Sequence, residues 1–158
     1  MNRLERTSDV DVPVRVAYDQ WTQFEDFPRF MEGVQRVIQL TDRTLSWAAE
    51  IGGQRREWTA EIVDQTPDTR VAWRSTSGER NDGAVLFEPL PGGTTRIVVR
   101  MEVEPDGPVE TIGTVLGFLD RRIQGDLERF KELIEKRGSP TGAWRGEIHG
   151  DQVEVPHR

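Results

Sequence analysis

Residues 45–76 read LSWAAEIGGQRREWTAEIVDQTPDTRVAWRST, and this stretch decides the fold. Apolar and polar side chains alternate along three segments of it, which is typical of strands that bury one face. Gly52-Gly53 and Pro67-Asp68 separate the segments, and both pairs are strong turn signals. Each segment carries one tryptophan: Trp47, Trp58 and Trp73. The stretch therefore predicts two consecutive hairpins with three indoles on one face of an antiparallel sheet.

The turns also predict how these strands pair. A tight turn at Gly52-Gly53 places Trp47 opposite Trp58, and the second turn places Trp73 opposite Ile62. Side chains alternate with a period of two, so a slip of one residue would move an indole to the polar face. A solvated face would not carry so much apolar area, so we expect another layer of protein or a bound molecule to cover the indoles.

Two further strands extend the sheet, Ala84–Leu90 and Thr94–Val103. Closing the loop that precedes the first of them, SGERNDG, places Trp73 opposite Phe87. The turn at Pro91-Gly92-Gly93 then places Phe87 opposite Ile97. These pairings add five apolar side chains to the face that carries the indoles: Val85, Phe87, Ile97, Val99 and Met101.

The segments outside the sheet complete the predicted architecture. A strand over 3–11 is followed by two short helices, over 14–24 and 25–33. Apolar residues at spacings of three and four predict one long amphipathic helix over 109–136. The fold class is therefore α+β: a curved antiparallel sheet of about seven strands around a long C-terminal helix, with two short helices after the first strand.

The chain divides into a predicted domain over 1–138 and a tail over 139–158. The tail is rich in glycine and polar residues, and we expect it to be extended and partly disordered at its end. Trp144 and Ile148 are apolar positions within it. The sequence leaves open whether they dock back on the domain or contact a second subunit.

The composition argues against several classes of function. The net charge of -7 and the pI near 5.0 argue against binding of nucleic acid. There is no cysteine, and both histidines, His149 and His157, lie in the tail. We therefore expect no catalytic triad, no metal site and no cofactor. The chain has no apolar run typical of a signal peptide or a membrane span, which predicts a cytoplasmic protein without integral membrane contact.

Four segments carry a resemblance to a known superfamily. They are VPVRVAYDQWTQFEDFPRFMEGV at the first helices, the hairpin WAAEIGGQRREWTAEI, the strand RVAWRSTSG and the helical segment GDLERFKELIE. The chain resembles the SRPBCC superfamily, whose fold is the START-like helix-grip fold, near its polyketide cyclase/dehydrase group and related to coenzyme Q-binding START proteins. The resemblance covers roughly residues 3–137. It implies a deep apolar cavity between the sheet and the last helix.

The residue pattern alone fits a plain core, whereas the resemblance implies that the aromatic face lines a cavity. We predict ten ligand-binding residues: Trp47, Trp58, Trp73, Phe87, Val99, Met101, Leu116, Leu119, Phe30 and Arg36. Arg36 reaches the inner face if Leu40 pairs with Leu45, but a bulge in its strand would turn it outward, and we favour the outward orientation.

The leading functional hypothesis is a non-catalytic protein that binds or carries a small hydrophobic, aromatic or lipid-like ligand. Lipids, quinones and polyketide-like molecules are the ligand classes that the resemblance implies. The alternative is a cyclase/dehydrase that acts on an aromatic polyketide-like intermediate, because such an enzyme works by shaping a reactive chain and needs no catalytic triad. A homodimer assembled through the tail is a third interpretation.

Overall fold

The computed structural model describes residues 2–51, 53–78, 81–103 and 109–155. Its sheet contains seven main strands: β1 (Asn2–Val10), β2 (Val34–Gln39), β3 (Thr44–Ile51), β4 (Gln54–Thr66), β5 (Arg70–Ser77), β6 (Asp82–Leu90) and β7 (Thr94–Val103). Helix α1 (Val14–Trp21) and a 3₁₀ helix (Phe24–Arg29) follow β1, and the long helix α2 (Val109–Arg137) follows β7. Two short strands lie in the tail, β8 (Glu147–His149) and β9 (Gln152–Glu154). The predicted α+β fold is confirmed.

The sheet is antiparallel and runs in the order β1-β7-β6-β5-β4-β3-β2. Three of the predicted cross-strand pairs are confirmed: Trp47 with Trp58, Ile62 with Trp73, and Phe87 with Ile97. The inner face is apolar and the outer face is polar, as expected for an antiparallel sheet with one side in water. The predicted break over 105–108, between β7 and α2, lies outside the described residues.

One predicted pairing in the sheet is wrong. Trp73 lies opposite Gly83, four residues before Phe87. Strand β6 begins at Asp82, inside the stretch predicted as a loop, because the Asp82 carboxylate accepts a hydrogen bond from the Ser75 amide at 3.0 Å. This contact aligns the start of β6 with the end of β5. A shift of four residues is even, so every side chain keeps its predicted face.

The pairing of β2 with β3 also differs from the prediction. Gln39, not Leu40, lies opposite Leu45, and a bulge separates the pairs made by Val34 and Arg36. The bulge adds one residue to β2, so the alternation of inward and outward side chains is interrupted at this point. Val37 is therefore buried, and Arg36 lies on the exposed face.

Helix α2 packs against the inner face of the sheet through residues at helical spacing: Ile123, Leu127, Phe130 and Ile134. It ends where Gly138, at φ +71°, donates its N–H to the Ile134 carbonyl at 2.8 Å. In the described ranges, no helix combines the length and the apolar character needed to cross a membrane.

The tail docks on its own chain. Strand β8 pairs with the end of β4, so that Ile148 lies opposite Gln65 and is fully buried. Trp144 packs against the same core. Of the two arrangements that the sequence left open, the structure shows docking of Trp144 and Ile148 on the domain. The division of the chain at residue 138 stays a prediction, and residues 156–158 lie outside the described part.

An ion-pair cluster fastens the tail. The Arg145 guanidinium contacts the Asp19 carboxylate at 2.5 Å and the Asp68 carboxylate at 2.7 Å. It also lies over the Tyr18 ring, 5.6 Å from the ring centroid. Asp19 is only 5% exposed, so its charge depends on Arg145 for compensation. Burial raises the pKa of Tyr18 to about 12, although its contact with Gln65 and the charge of Arg145 act in the opposite direction.

Candidate ligand-binding cavity

A cavity of about 160 Å³ lies between the sheet, the middle of α2 and the segment that covers the sheet edge. This covering segment consists of residues 24–33, the 3₁₀ helix and the loop after it. The wall is mostly apolar and comes from α1, β2, β3, β4, β5, β7, α2 and the covering segment. A dry apolar cavity of about 150 Å³ holds a benzene molecule, so this cavity has room for about one aromatic ring.

Two of the predicted tryptophans form a stacked pair in the wall. The Trp47 and Trp58 rings lie 5.5 Å apart between centroids and are inclined by only 10°. Phe27 of the covering segment contacts Trp47 with centroids 5.6 Å apart. The Trp47 indole N–H is buried and has no hydrogen-bond partner among the described residues. An enclosed donor without an acceptor is unfavourable by about 1–3 kcal/mol, so this part of the wall is not optimised for stability alone.

The third tryptophan lies against a glycine. A Cβ atom on Gly83 would come within 2.8 Å of the Trp73 ring, so glycine at this position allows the indole to approach β6 closely. The Trp73 N–H donates to the Asn81 side-chain oxygen at 3.2 Å. The ring is thereby held at the edge of the cavity, and Asn81 joins the lining.

Helix α2 holds the covering segment through the main chain of that segment. Arg122 donates to the Glu32 carbonyl at 2.5 Å, and Arg129 donates to the Phe30 carbonyl at 2.8 Å. Asp126 accepts the Glu32 amide at 2.9 Å and pairs with Arg129. Phe24, Phe27 and Met31 of the covering segment line the cavity. This places the predicted short helix at the cavity wall, where a lid would lie.

The charged edge of the cavity contains one perturbed carboxyl group. Burial raises the pKa of Asp126, and the hydrogen bonds from the Glu32 amide and Arg129 oppose this shift only in part. Glu32, Arg122 and Asp126 are the ionisable residues of the described lining. Within the described ranges, no three acidic or histidine side chains are grouped so that they could hold a metal ion.

Six of the ten predicted binding residues line the cavity: Trp47, Trp58, Trp73, Val99, Met101 and Leu119. Phe87 and Phe30 are buried in the packed core instead, in contact with Trp21. Leu116 is half-buried on α2 outside the lining. Arg36 must be removed from the predicted lining, because the bulge in β2 places it on the exposed face.

Sequence reasoning missed the polar lining residues. Asn81 lay in a predicted loop, and Arg122 and Asp126 lay on the polar side of the predicted helix. A Cβ atom added to Gly113 or Gly117 of α2 would meet no sheet atom among the described residues, so packing against the sheet does not require glycine at these two positions.

The fold and the cavity together define the class of this protein. An antiparallel sheet that wraps a long C-terminal helix, with an apolar cavity between them, is the START-like helix-grip arrangement. The chain belongs to the family described as polyketide cyclase / dehydrase and lipid transport, whose model matches residues 10–132.

The relatives cover most of the chain. It is 46% identical over 149 residues to an uncharacterized 17.2 kDa protein in the melC2-rnhH intergenic region of Streptomyces lincolnensis, covering 94% of this chain and 99% of that one. The crystal structure of the Zhui aromatase/cyclase from Streptomyces sp. R1128 is similar, with a TM-score of 0.75 and 15% identity, over 90% of this chain and 98% of the other. A START superfamily protein from Mycobacterium smegmatis has a TM-score of 0.71 at 17% identity, over 83% and 98%. At these identities, the structural likeness shows the fold alone.

Proposed function

We propose that this protein binds and carries a small aromatic or apolar molecule in the cavity between the sheet and α2. The observation that carries the proposal is the cavity wall itself, in which the stacked Trp47 and Trp58 rings face an open apolar volume of about 160 Å³. Protein cores are packed about as densely as organic crystals, and an unfilled space of this size lowers the free energy of unfolding. Such a space therefore favours a role in binding a ligand.

The size of the cavity narrows the ligand class. Small-molecule sites are usually larger, about 300–1,000 Å³, so this one suits a compact molecule with one aromatic ring. A quinone or polyketide-like ring fits better than an extended acyl chain. A long-chain lipid would enter only if the covering segment moved away from α2.

The charged edge supports carriage more than catalysis. The charged groups at this edge already have protein partners. Arg122 pairs with Glu32 and donates to its carbonyl, and Asp126 accepts from the Glu32 amide and pairs with Arg129. These contacts hold the cavity closed on that side. Groups occupied in this way are poorly placed to exchange protons with a substrate.

The test combines extraction with titration. Organic extracts of the purified protein are analysed by mass spectrometry, and the protein is titrated calorimetrically with indane, a compact bicyclic hydrocarbon, and with palmitate. We expect a co-purifying ring compound and saturable binding of one indane per chain, with weaker binding of palmitate. No extracted ligand together with no saturable binding of either compound would rule the proposal out.

The second candidate is a cyclase or dehydrase, and one observation favours it. Burial raises the pKa of Asp126 beside the cavity, which brings a carboxyl group closer to the range useful for proton transfer. The enzyme hypothesis predicts that the protein changes the product distribution from a poly-β-keto substrate and that Asp126→Asn abolishes this change. The cytoplasmic location and the homodimer stay predictions, and light scattering tests the second.

A further inference from the structure

We infer that Asn81 makes the cavity selective for ligands that carry a hydrogen-bond acceptor, such as a ring with a carbonyl or phenolic oxygen. The inference rests on the proposed function and concerns the specificity of the same site. It starts from the position of Asn81, which lines the cavity directly before β6.

The Asn81 side chain is fixed from two directions. Its oxygen accepts the Trp73 indole N–H at 3.2 Å, and its main-chain N–H donates to the Ser75 hydroxyl at 3.1 Å. Trp73 in turn lies close to Gly83 of β6. The amide is therefore held in place before any ligand arrives, which lowers the entropic cost of binding.

The chemistry of the indole settles the orientation of the amide. An indole N–H can only donate, so the Asn81 atom that faces it must be the oxygen. The amide nitrogen, with its two N–H groups, takes no part in this contact. That nitrogen donates to no residue in the part of the chain that the structure describes.

The charged groups of the lining are engaged with protein partners. Arg122 donates to the Glu32 carbonyl, and Asp126 accepts from the Glu32 amide and pairs with Arg129. The Trp47 N–H is enclosed by protein atoms. Among the described lining residues, Asn81 thus offers an unpaired donor in an apolar wall, where a hydrogen bond to a ligand oxygen carries discrimination.

The experiment compares two ligands that differ by one oxygen, indane and 1-indanone. Calorimetric titration of the wild type is expected to give about five-fold tighter binding of 1-indanone, the ratio that one neutral hydrogen bond supplies. Infrared spectra of bound 1-indanone are expected to show its carbonyl band at lower wavenumber than in an apolar solvent.

The matched variant is Asn81→Asp, measured at about pH 8 so that the carboxylate is ionised. It keeps the acceptor for Trp73 and removes the donor. We expect the ratio between the two ligands to fall to about one and the carbonyl band to lose its shift. Indane binding reports any general disturbance of the cavity, and equal binding of the two ligands by the wild type would overturn the inference even if the variant does not fold.

The outcomes distinguish the role of Asn81 from the proposed carrier function. Equal binding of both ligands by the wild type, or an unchanged ratio in Asn81→Asp, would overturn the role of Asn81 and leave the carrier function standing. Failure of both ligands to bind would overturn the proposed function and, with it, this inference. A five-fold preference that disappears in the variant supports both.

Discussion

Two parts of α2 lie over one face of one sheet but over different interiors. Toward its C-terminus, Phe130 and Ile134 are fully buried, and the Trp21 ring lies 5.0 Å from the Phe130 ring. We call this the packed end. In the middle of the helix, Leu119 and Ile123 line the cavity, and we call this the cavity end. Helix and sheet are common to both ends, so neither element alone decides whether the interior is filled.

The difference comes from what is inserted between them. At the packed end, α1 supplies Tyr18 and Trp21, and the tail adds Ile148. At the cavity end, the covering segment reaches over the wall but leaves a space of about 160 Å³. The cavity therefore lies where no further layer of side chains fills the space between α2 and the sheet. At the packed end, α1 and the tail supply that layer.

The largest expected effect tests the packed end. Phe130→Ala should lower the free energy of unfolding by about 3–5 kcal/mol, because a fully buried ring leaves a hole that its neighbours cannot fill. Phe118→Ala is the matched control on the same helix, where the ring is half-buried and stacks on Arg122. Phe118→Ala is expected to lower the free energy of unfolding by about 1 kcal/mol. Chemical denaturation measures both, and equal losses would contradict the distinction between the ends.

A second substitution tests whether the tail belongs to the packed end. Ile148→Ala should lower the free energy of unfolding by about 2–4 kcal/mol, since this side chain is fully buried against the domain. Val155→Ala, at a position that is 62% exposed, should change it by less than about 0.5 kcal/mol. A negligible effect of Ile148→Ala would mean that residues 139–158 are a dispensable appendage.

A third substitution fills the cavity end. Ala60 lines the cavity, and Ala60→Leu should weaken indane binding by about ten-fold or more while changing the free energy of unfolding by less than about 1 kcal/mol, because the added carbons enter empty space. The control is Ala84→Leu on the outer face of β6, which should leave binding unchanged. A loss of about 1–3 kcal/mol in Ala60→Leu would indicate a filled interior instead.

The smallest expected effect concerns pH. Burial raises the pKa of Asp126 above that of the unfolded chain, so folding favours the protonated form. Its contribution to stability is fully present below the unfolded pKa and is lost as the pH rises through the folded pKa. Asp126→Asn should therefore remove part of the decline in melting temperature between about pH 4 and 7.

The packed end offers a control of opposite sign. The pKa of Glu135 is lowered by its hydrogen bond with Lys131, so its contribution is present above the unfolded pKa and is lost as the pH falls. Glu135→Gln should change the slope of melting temperature against pH in the opposite direction to Asp126→Asn. Slopes that change in the same direction in both variants would contradict the assignment.

Local patterns predicted most of the fold. A Gly-Gly pair between two alternating segments predicts a tight turn, so the pairing of Trp47 with Trp58 could be derived from the sequence. The start of β6 could not, because a contact between the Asp82 side chain and the main chain of β5 sets it. The orientation of Arg36 depends on a bulge, which no spacing in the sequence marks.

The site was predictable only in its apolar part. Alternation along the strands placed the three indoles on one face, and the structure brings all three to the cavity. Asn81 and Asp126 were not predicted, because their roles depend on partners that no local pattern indicates. The partner of Asp126 is Glu32, which is distant in the chain, and the partner of Asn81 is Trp73, across a loop. The Arg145 cluster joins residues 77 and 126 positions apart, which no local pattern reveals.

The attachment of the covering segment has a consequence for how such a protein evolves. Side chains of α2 hold this segment by its main-chain atoms, the carbonyls of Phe30 and Glu32 and the amide of Glu32. Main-chain groups are the same for nearly every amino acid, so mutation of the segment leaves its anchorage intact. Met31 lines the cavity and is only partly buried, so its substitution can change ligand preference while these main-chain hydrogen bonds keep the site closed.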